Sequence, residues 1–184
     1  MRAYSILPLF LAIAVTPAPL TQVVVYHPGS MHVTQTISGM CWESSIASAR
    51  RDAFRCIIAN IIHDPCFALD AQDVACPVDV VRDRGIVVRI ASTPSTRANV
   101  GAPGATAPWT FILASGSLCA LGTGTVISDF PYFCRGSLVC AQPASLGGDA
   151  RRFWAECGKV VPASGASPPG VPAHRAYAVR TMWR

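Results

Sequence analysis

Ser44, Ser45, His63 and Asp64 supply the residue types of a serine hydrolase: a hydroxyl nucleophile, an imidazole base and a carboxylate to orient it. Their arrangement argues against one. Neighbouring side chains such as His63 and Asp64 rarely face each other as a relay requires, and no G-x-S-x-G elbow accompanies the serines. Asp70, Asp73, Asp79 and Asp83 could furnish the carboxylate pair of a glycosidase, but acidic residues at this spacing usually mark a solvated turn region. The glycines of Leu121-Gly122-Thr123-Gly124-Thr125 lack the lysine and helix that follow in a phosphate loop. No catalytic residue and no cofactor is assigned on this basis. Trp42, Trp109, Trp154 and Trp183 are the candidate binding residues, because aromatic faces stack on sugars and peptides. Core packing competes with that reading, since each lies in or beside an apolar run.

The eight cysteines are Cys41, Cys56, Cys66, Cys76, Cys119, Cys134, Cys140 and Cys157. The even number is the arithmetic of four disulfides. A zinc site would want C-x-x-C pairs with histidines at matching spacing, and the closest cysteines, Cys134 and Cys140, are six apart. No metal site is expected, and the isolated His27 and His32 read as surface residues. A cysteine nucleophile would need a low-pKa thiolate beside a histidine, whereas every cysteine here has a ready role as a staple.

The amino terminus indicates export. Arg2 precedes an apolar run over residues 6–15 interrupted only by Pro8, the pattern of a secretory signal. The run is shorter than the roughly 20 residues of a membrane span, so no stable span is expected. Residues 1–18 read as the signal peptide, cut somewhere within 12–30, and residues 19–40 as a loosely held leader or spacer. Residues 41–184 then form one disulfide-rich domain in a secreted, periplasmic or cell-envelope setting. The net charge of +5 is spread in small groups, which argues against nucleic acid as a partner but leaves anionic envelope polymers or lipids, or a protein.

The elements that must position any site read as α+β. Phe54, Ile57, Ile58, Ile61 and Ile62 recur at three- and four-residue steps, which predicts a helix over 48–62 with Ser48 as its cap and Pro65 as its stop. Strands are predicted at 86–90, 109–113, 153–161 and 177–183, with glycine turns at Gly116 and Gly136. Loops are expected at 91–108 and 162–172. The fold expected is one stapled helix followed by a mostly antiparallel sheet or small barrel.

The segments Cys41-Trp42-Glu43-Ser44-Ser45-Ile46-Ala47, Arg51-Asp52-Ala53-Phe54-Arg55-Cys56 and Asp64-Pro65-Cys66-Phe67 resemble a family of small secreted, cysteine-rich bacterial proteins with no assigned activity. The resemblance extends through Cys76, Cys119 and Cys134 to Met182-Trp183. It implies a framework of six cysteines to which Cys140 and Cys157 are additions. Two cysteines gained together imply a bridge between them. The functional expectation is a non-enzymatic binding domain of the bacterial envelope or exterior; a small secreted hydrolase and a protease-inhibitor-like domain are the alternatives.

Overall fold

The computed structural model describes residues 19–92, 94, 107–124, 129–161, 171 and 173–184. Among these the chain is nearly all β. In order it forms β1 (Gln22–Val24), β2 (His32–Ser38), β3 (Met40–Ser44), β4 (Ala53–Ile58), β5 (Ile61–Ala68), β6 (Asp73–Asp79) and β7 (Arg84–Arg89). There follow β8 (Thr110–Leu113), β9 (Leu118–Leu121), β10 (Tyr132–Cys134), β11 (Leu138–Cys140), β12 (Ala144–Ser145), β13 (Phe153–Lys159) and β14 (His174–Trp183). Single 3-10 turns lie at Pro28–Ser30, Val80–Arg82 and Leu146–Gly148.

The α+β expectation is therefore corrected: no helix occupies 48–62. Its residues form β4 and β5, joined by Ala59 and Asn60 with φ of 48° and 66°. Ile58 pairs with Ile61 across this two-residue turn, and two positive φ values are what a tight antiparallel hairpin of matching twist needs. The isoleucine spacing fits a helix, but the residues are β-branched and serve a sheet better.

Two sheets result. One has the order β2-β7-β6-β5-β4-β3 and is antiparallel except for β2 with β7. Its two edge strands are halves of one bent segment, separated by Gly39 alone, so the sheet rolls back on itself. Gly39 is required by close approach, because a Cβ there would lie 2.7 Å from a methyl of Val88 and 3.1 Å from the carbonyl of Ile57. In the other sheet, β14, β8, β9, β10, β11 and β13 pair in sequence and β13 pairs again with β14, closing a six-stranded barrel. β1 adds to the outside of β14 in parallel.

Residues 19–40, expected as a loose spacer, are woven into both sheets through β1 and β2. The backbone N–H of Thr21 donates to Arg151 at 2.8 Å and its hydroxyl donates to the Val179 carbonyl at 2.7 Å. Tyr26 and Met31 are buried. The loop expected at 91–108 falls largely outside the described residues, as does that at 162–172.

The four disulfides are Cys41–Cys56, Cys66–Cys76, Cys119–Cys134 and Cys140–Cys157, and no cysteine is free. Each joins neighbouring antiparallel strands, and three join residues directly paired across the ladder; Phe67 opposite Ala75 places Cys66 and Cys76 opposite each other as well. Two staples lie in the rolled sheet and two in the barrel, where they fill the apolar interior with Phe54, Val74 and Val88 or with Phe111, Leu113 and Val179. Cys140 and Cys157 are 17 residues apart, and closing a loop of that size contributes about 3 kcal/mol in the chain-entropy model. Replacing both with alanine should lower the unfolding free energy by about that amount, read by urea titration of the oxidised protein, with the other three bridges still found by peptide mapping. A loss below about 1 kcal/mol would show that this staple adds little to the barrel.

Candidate functional site

The serine, histidine and aspartate singled out above do not converge as a relay. His63 and Asp64 are consecutive in β5, so their side chains leave opposite faces of the strand. The Asp64 carboxyl is wholly buried. It accepts a short hydrogen bond from the Ser45 hydroxyl and one from the Ile46 N–H at 3.2 Å. The Ser45 oxygen in turn accepts from the N–H groups of Ala47 and Ser48 at 3.0 and 2.9 Å. Its hydroxyl is thus committed to holding the turn that leads from β3 to β4. Ser44 ends β3 and is half-buried. Burial lowers the pKa of the His63 imidazole.

Arg55 completes this cluster. Its Nε lies 3.3 Å from the Asp64 carboxylate and its Nη1 lies 2.7 Å from Glu43. It also donates to the Thr123 carbonyl at 3.0 Å and lies over the ring of Trp42. Because Thr123 follows β9, this one side chain ties the rolled sheet to the barrel. The glycine segment at 122–124 is thereby a docking loop, its Gly122 N–H bonded to Pro131.

Three of the four aspartates of the 70–83 region are also occupied locally. Asp70 caps the turn before β6 by accepting from Gln72 and Asp73 N–H, each at 2.8 Å. Asp73 pairs with Arg89 and Asp79 with Arg82. Asp83 takes the left-handed position after the Val80–Arg82 turn. His27 and His32 are exposed and lie at different places on the chain's surface segments, His27 before a 3-10 turn and His32 at the start of β2. The sulfur groups with metal-like proximity, Cys56 with Cys66 and Cys76 and Cys119 with Cys134 and Cys140, consist of disulfide sulfurs, which lack the thiolates a metal requires.

The tryptophans are divided. Trp109 and Trp183 are buried in a cluster between the sheets with Tyr26, Phe67 and Ile112. Trp42 is partly exposed on β3, and Trp154 is half-buried on β13. They form no common stacking platform, and of the four only Trp183 lines the principal groove.

That groove lies where β1, β14 and the Val80–Arg82 turn meet, and its volume is about 770 Å³. Leu20, Val25, Val81, Ile112 and Trp183 supply apolar lining. Leu20, Val25 and Val81 are more than half exposed, at 55%, 60% and 55%. Tyr26 also contributes; burial, and then the negative charge of Asp83, push its pKa up to about 12, partly countered by Arg50. The phenol is therefore neutral in ordinary buffers, and its oxygen has no hydrogen-bond partner among the described residues.

A smaller recess of about 220 Å³ shares Val81, Ile112 and Arg180 with the groove and adds Asp79, Arg82 and Arg135. Sequence reasoning missed this convergence. The Gly136 turn was visible and placed Arg135 at a hairpin tip, but nothing local brings it to Arg82 and Arg180. No protein-family model matches the chain, and no curated protein or solved structure matches it significantly.

Burial raises the pKa of Asp64 above its ordinary value, while Ser45, the backbone and Arg55 pull it down by less. The folded state then holds the Asp64 proton more tightly than the unfolded chain does. This contribution to stability is full below the unfolded pKa and is lost as pH rises through the higher folded pKa. In urea titrations across the carboxylate range, wild type minus Asp64→Asn should show stability falling as pH rises. A difference that rises with pH, or stays flat, would show that hydrogen bonding outweighs burial at this carboxyl.

Proposed function

We propose that the protein is a secreted, disulfide-stabilised, non-enzymatic binding domain of the bacterial envelope or exterior, and that the groove between its sheets is the binding site. The groove carries the reading. It combines exposed aliphatic side chains with a few polar groups at the junction of two stapled units, the general form of a ligand site, whereas the Ser45 hydroxyl is committed to structural bonds. Support for export comes from the Arg2-led apolar segment and from four oxidised cysteine pairs, which persist where the surroundings are oxidising. Among the described residues no helix is long and apolar enough to cross a membrane. A signal cleavage that leaves Thr21 in place retains β1, which forms one wall of the groove.

The secreted protein should bind a neutral single-chain amphiphile, decyl glucoside, below its micellar concentration. Nuclear magnetic resonance titration should shift amides of β1, the Val80–Arg82 turn and the end of β14. Val81 is exposed, so Val81→Glu should leave the fold intact while weakening binding about tenfold, the equivalent of losing one valine contact of about 1.5 kcal/mol. Shifts confined to the surroundings of Ser44, Ser45 and His63, together with ester hydrolysis lost on Ser44→Ala, would instead favour the hydrolase.

A further inference from the structure

Resting on the groove as the binding site, we propose that the arginine recess selects the ligand: an amphiphile with one aliphatic chain and an anionic head group. Three separate elements place the guanidinium groups. Arg82 sits on the Val80–Arg82 turn, where its N–H donates to Asp79 at 3.2 Å and its side chain pairs with the same carboxylate at 3.3 Å. Arg135 stands at the tip of the β10–β11 hairpin, anchored by its N–H to the Leu118 carbonyl at 3.1 Å. Arg180 lies at the irregularity of β14 between Val179 and Thr181, the kind of bulge that re-aims a side chain.

Charge in the recess is one-sided. Asp79 is its one carboxylate among the described lining residues, and it is paired with Arg82. Arg135 and Arg180 have no ion-pair partner among the described residues. Two unpaired guanidinium groups facing one small recess repel each other and suit an oxyanion, which accepts their parallel N–H donors in bidentate fashion. Asp83 lines the larger groove but not the recess, so the anionic end is favoured on the recess side.

The apolar half of the ligand follows from continuity. Val81 and Ile112 border both spaces, and Arg180 stands at their junction. A head group held by Arg135 and Arg180 therefore sends its chain along Val81 and Ile112 toward Val25, Leu20 and Trp183. A free oxyanion would use only the recess, and a neutral lipid only the groove. An anionic amphiphile uses both.

Calorimetric titration of the secreted protein with decyl phosphate, decyl glucoside, decyltrimethylammonium and inorganic phosphate tests this. Decyl phosphate should bind about tenfold or more tightly than decyl glucoside and inorganic phosphate, with decyltrimethylammonium weakest. In the double variant Arg135→Gln, Arg180→Gln, the preference for decyl phosphate over decyl glucoside should disappear. Both arginines are exposed, and unchanged circular dichroism and thermal unfolding establish that the variant is folded. Equal binding of decyl phosphate and decyl glucoside, a preference that survives the double substitution, or inorganic phosphate matching decyl phosphate would each overturn the anionic-amphiphile assignment while leaving the groove as a site. Failure of every amphiphile to bind would overturn both.

Discussion

The packing of Tyr26, Phe67 and Trp109 holds the rolled sheet against the barrel. Their rings lie 5.0 to 5.9 Å apart in tilted and edge-on arrangements, each pair contributing about 0.5–1.5 kcal/mol beyond the burial itself. Arg50 covers Phe67 at 4.5 Å, donates to the Tyr26 carbonyl through Nη1 and donates to both carboxylate oxygens of Asp52 through Nε and Nη2. Three distant parts of the chain meet there. Tyr26 comes from the segment between β1 and β2, Phe67 from β5, and Trp109 from the residue just before β8. The groove is a consequence, because its β1 and β14 walls belong to the barrel and its Val80–Arg82 wall to the rolled sheet.

The disulfides do a different task. All four bridge adjacent strands, and none crosses between the sheets. Side chains alternate along a strand, so a slip of one residue would turn a cysteine to the opposite face and break the pairing. The bridges therefore lock register within each sheet, while the relation between the sheets rests on aromatic packing and on Arg55 reaching Thr123. Stapled units with a non-covalent seam make a site whose walls are each rigid.

Much of the barrel was legible in the sequence, because β-branched and aromatic runs broken by Gly116 and Gly136 carry strand and hairpin signals locally. Of the rolled sheet only the strand at 86–90, which is β7, was legible. Ile57, Ile58, Ile61 and Ile62 satisfy a helical period as well as a hairpin, and the turn between them uses Ala59 and Asn60 rather than the glycine that would have announced it. Residues 19–40 also misled, since a short valine run followed by Gly and Ser reads as a spacer until β14 and β7 are present to pair with it. The tryptophans were noticed, yet their division between core and surface depends on which strand faces the other sheet. Arg82, Arg135 and Arg180 lie far apart in the chain, and only the closed topology gathers them. The hydroxyl, imidazole and carboxylate that resembled a relay were nearest to one another in sequence, and strand alternation kept His63 and Asp64 on opposite faces.

Aromatic packing, with no disulfide across the seam, holds the two internally stapled units against each other and shapes the groove. Hydrogen exchange of Phe67→Ala, read by mass spectrometry on the oxidised protein, tests it most directly. Removing the ring costs about 3–5 kcal/mol at a buried site. Protection should fall at Tyr26, at 109–112 and at 181–183, while the stapled strand pairs β5–β6 and β9–β10 stay protected. Uniform loss throughout both sheets, or unchanged protection at the seam, would contradict the account.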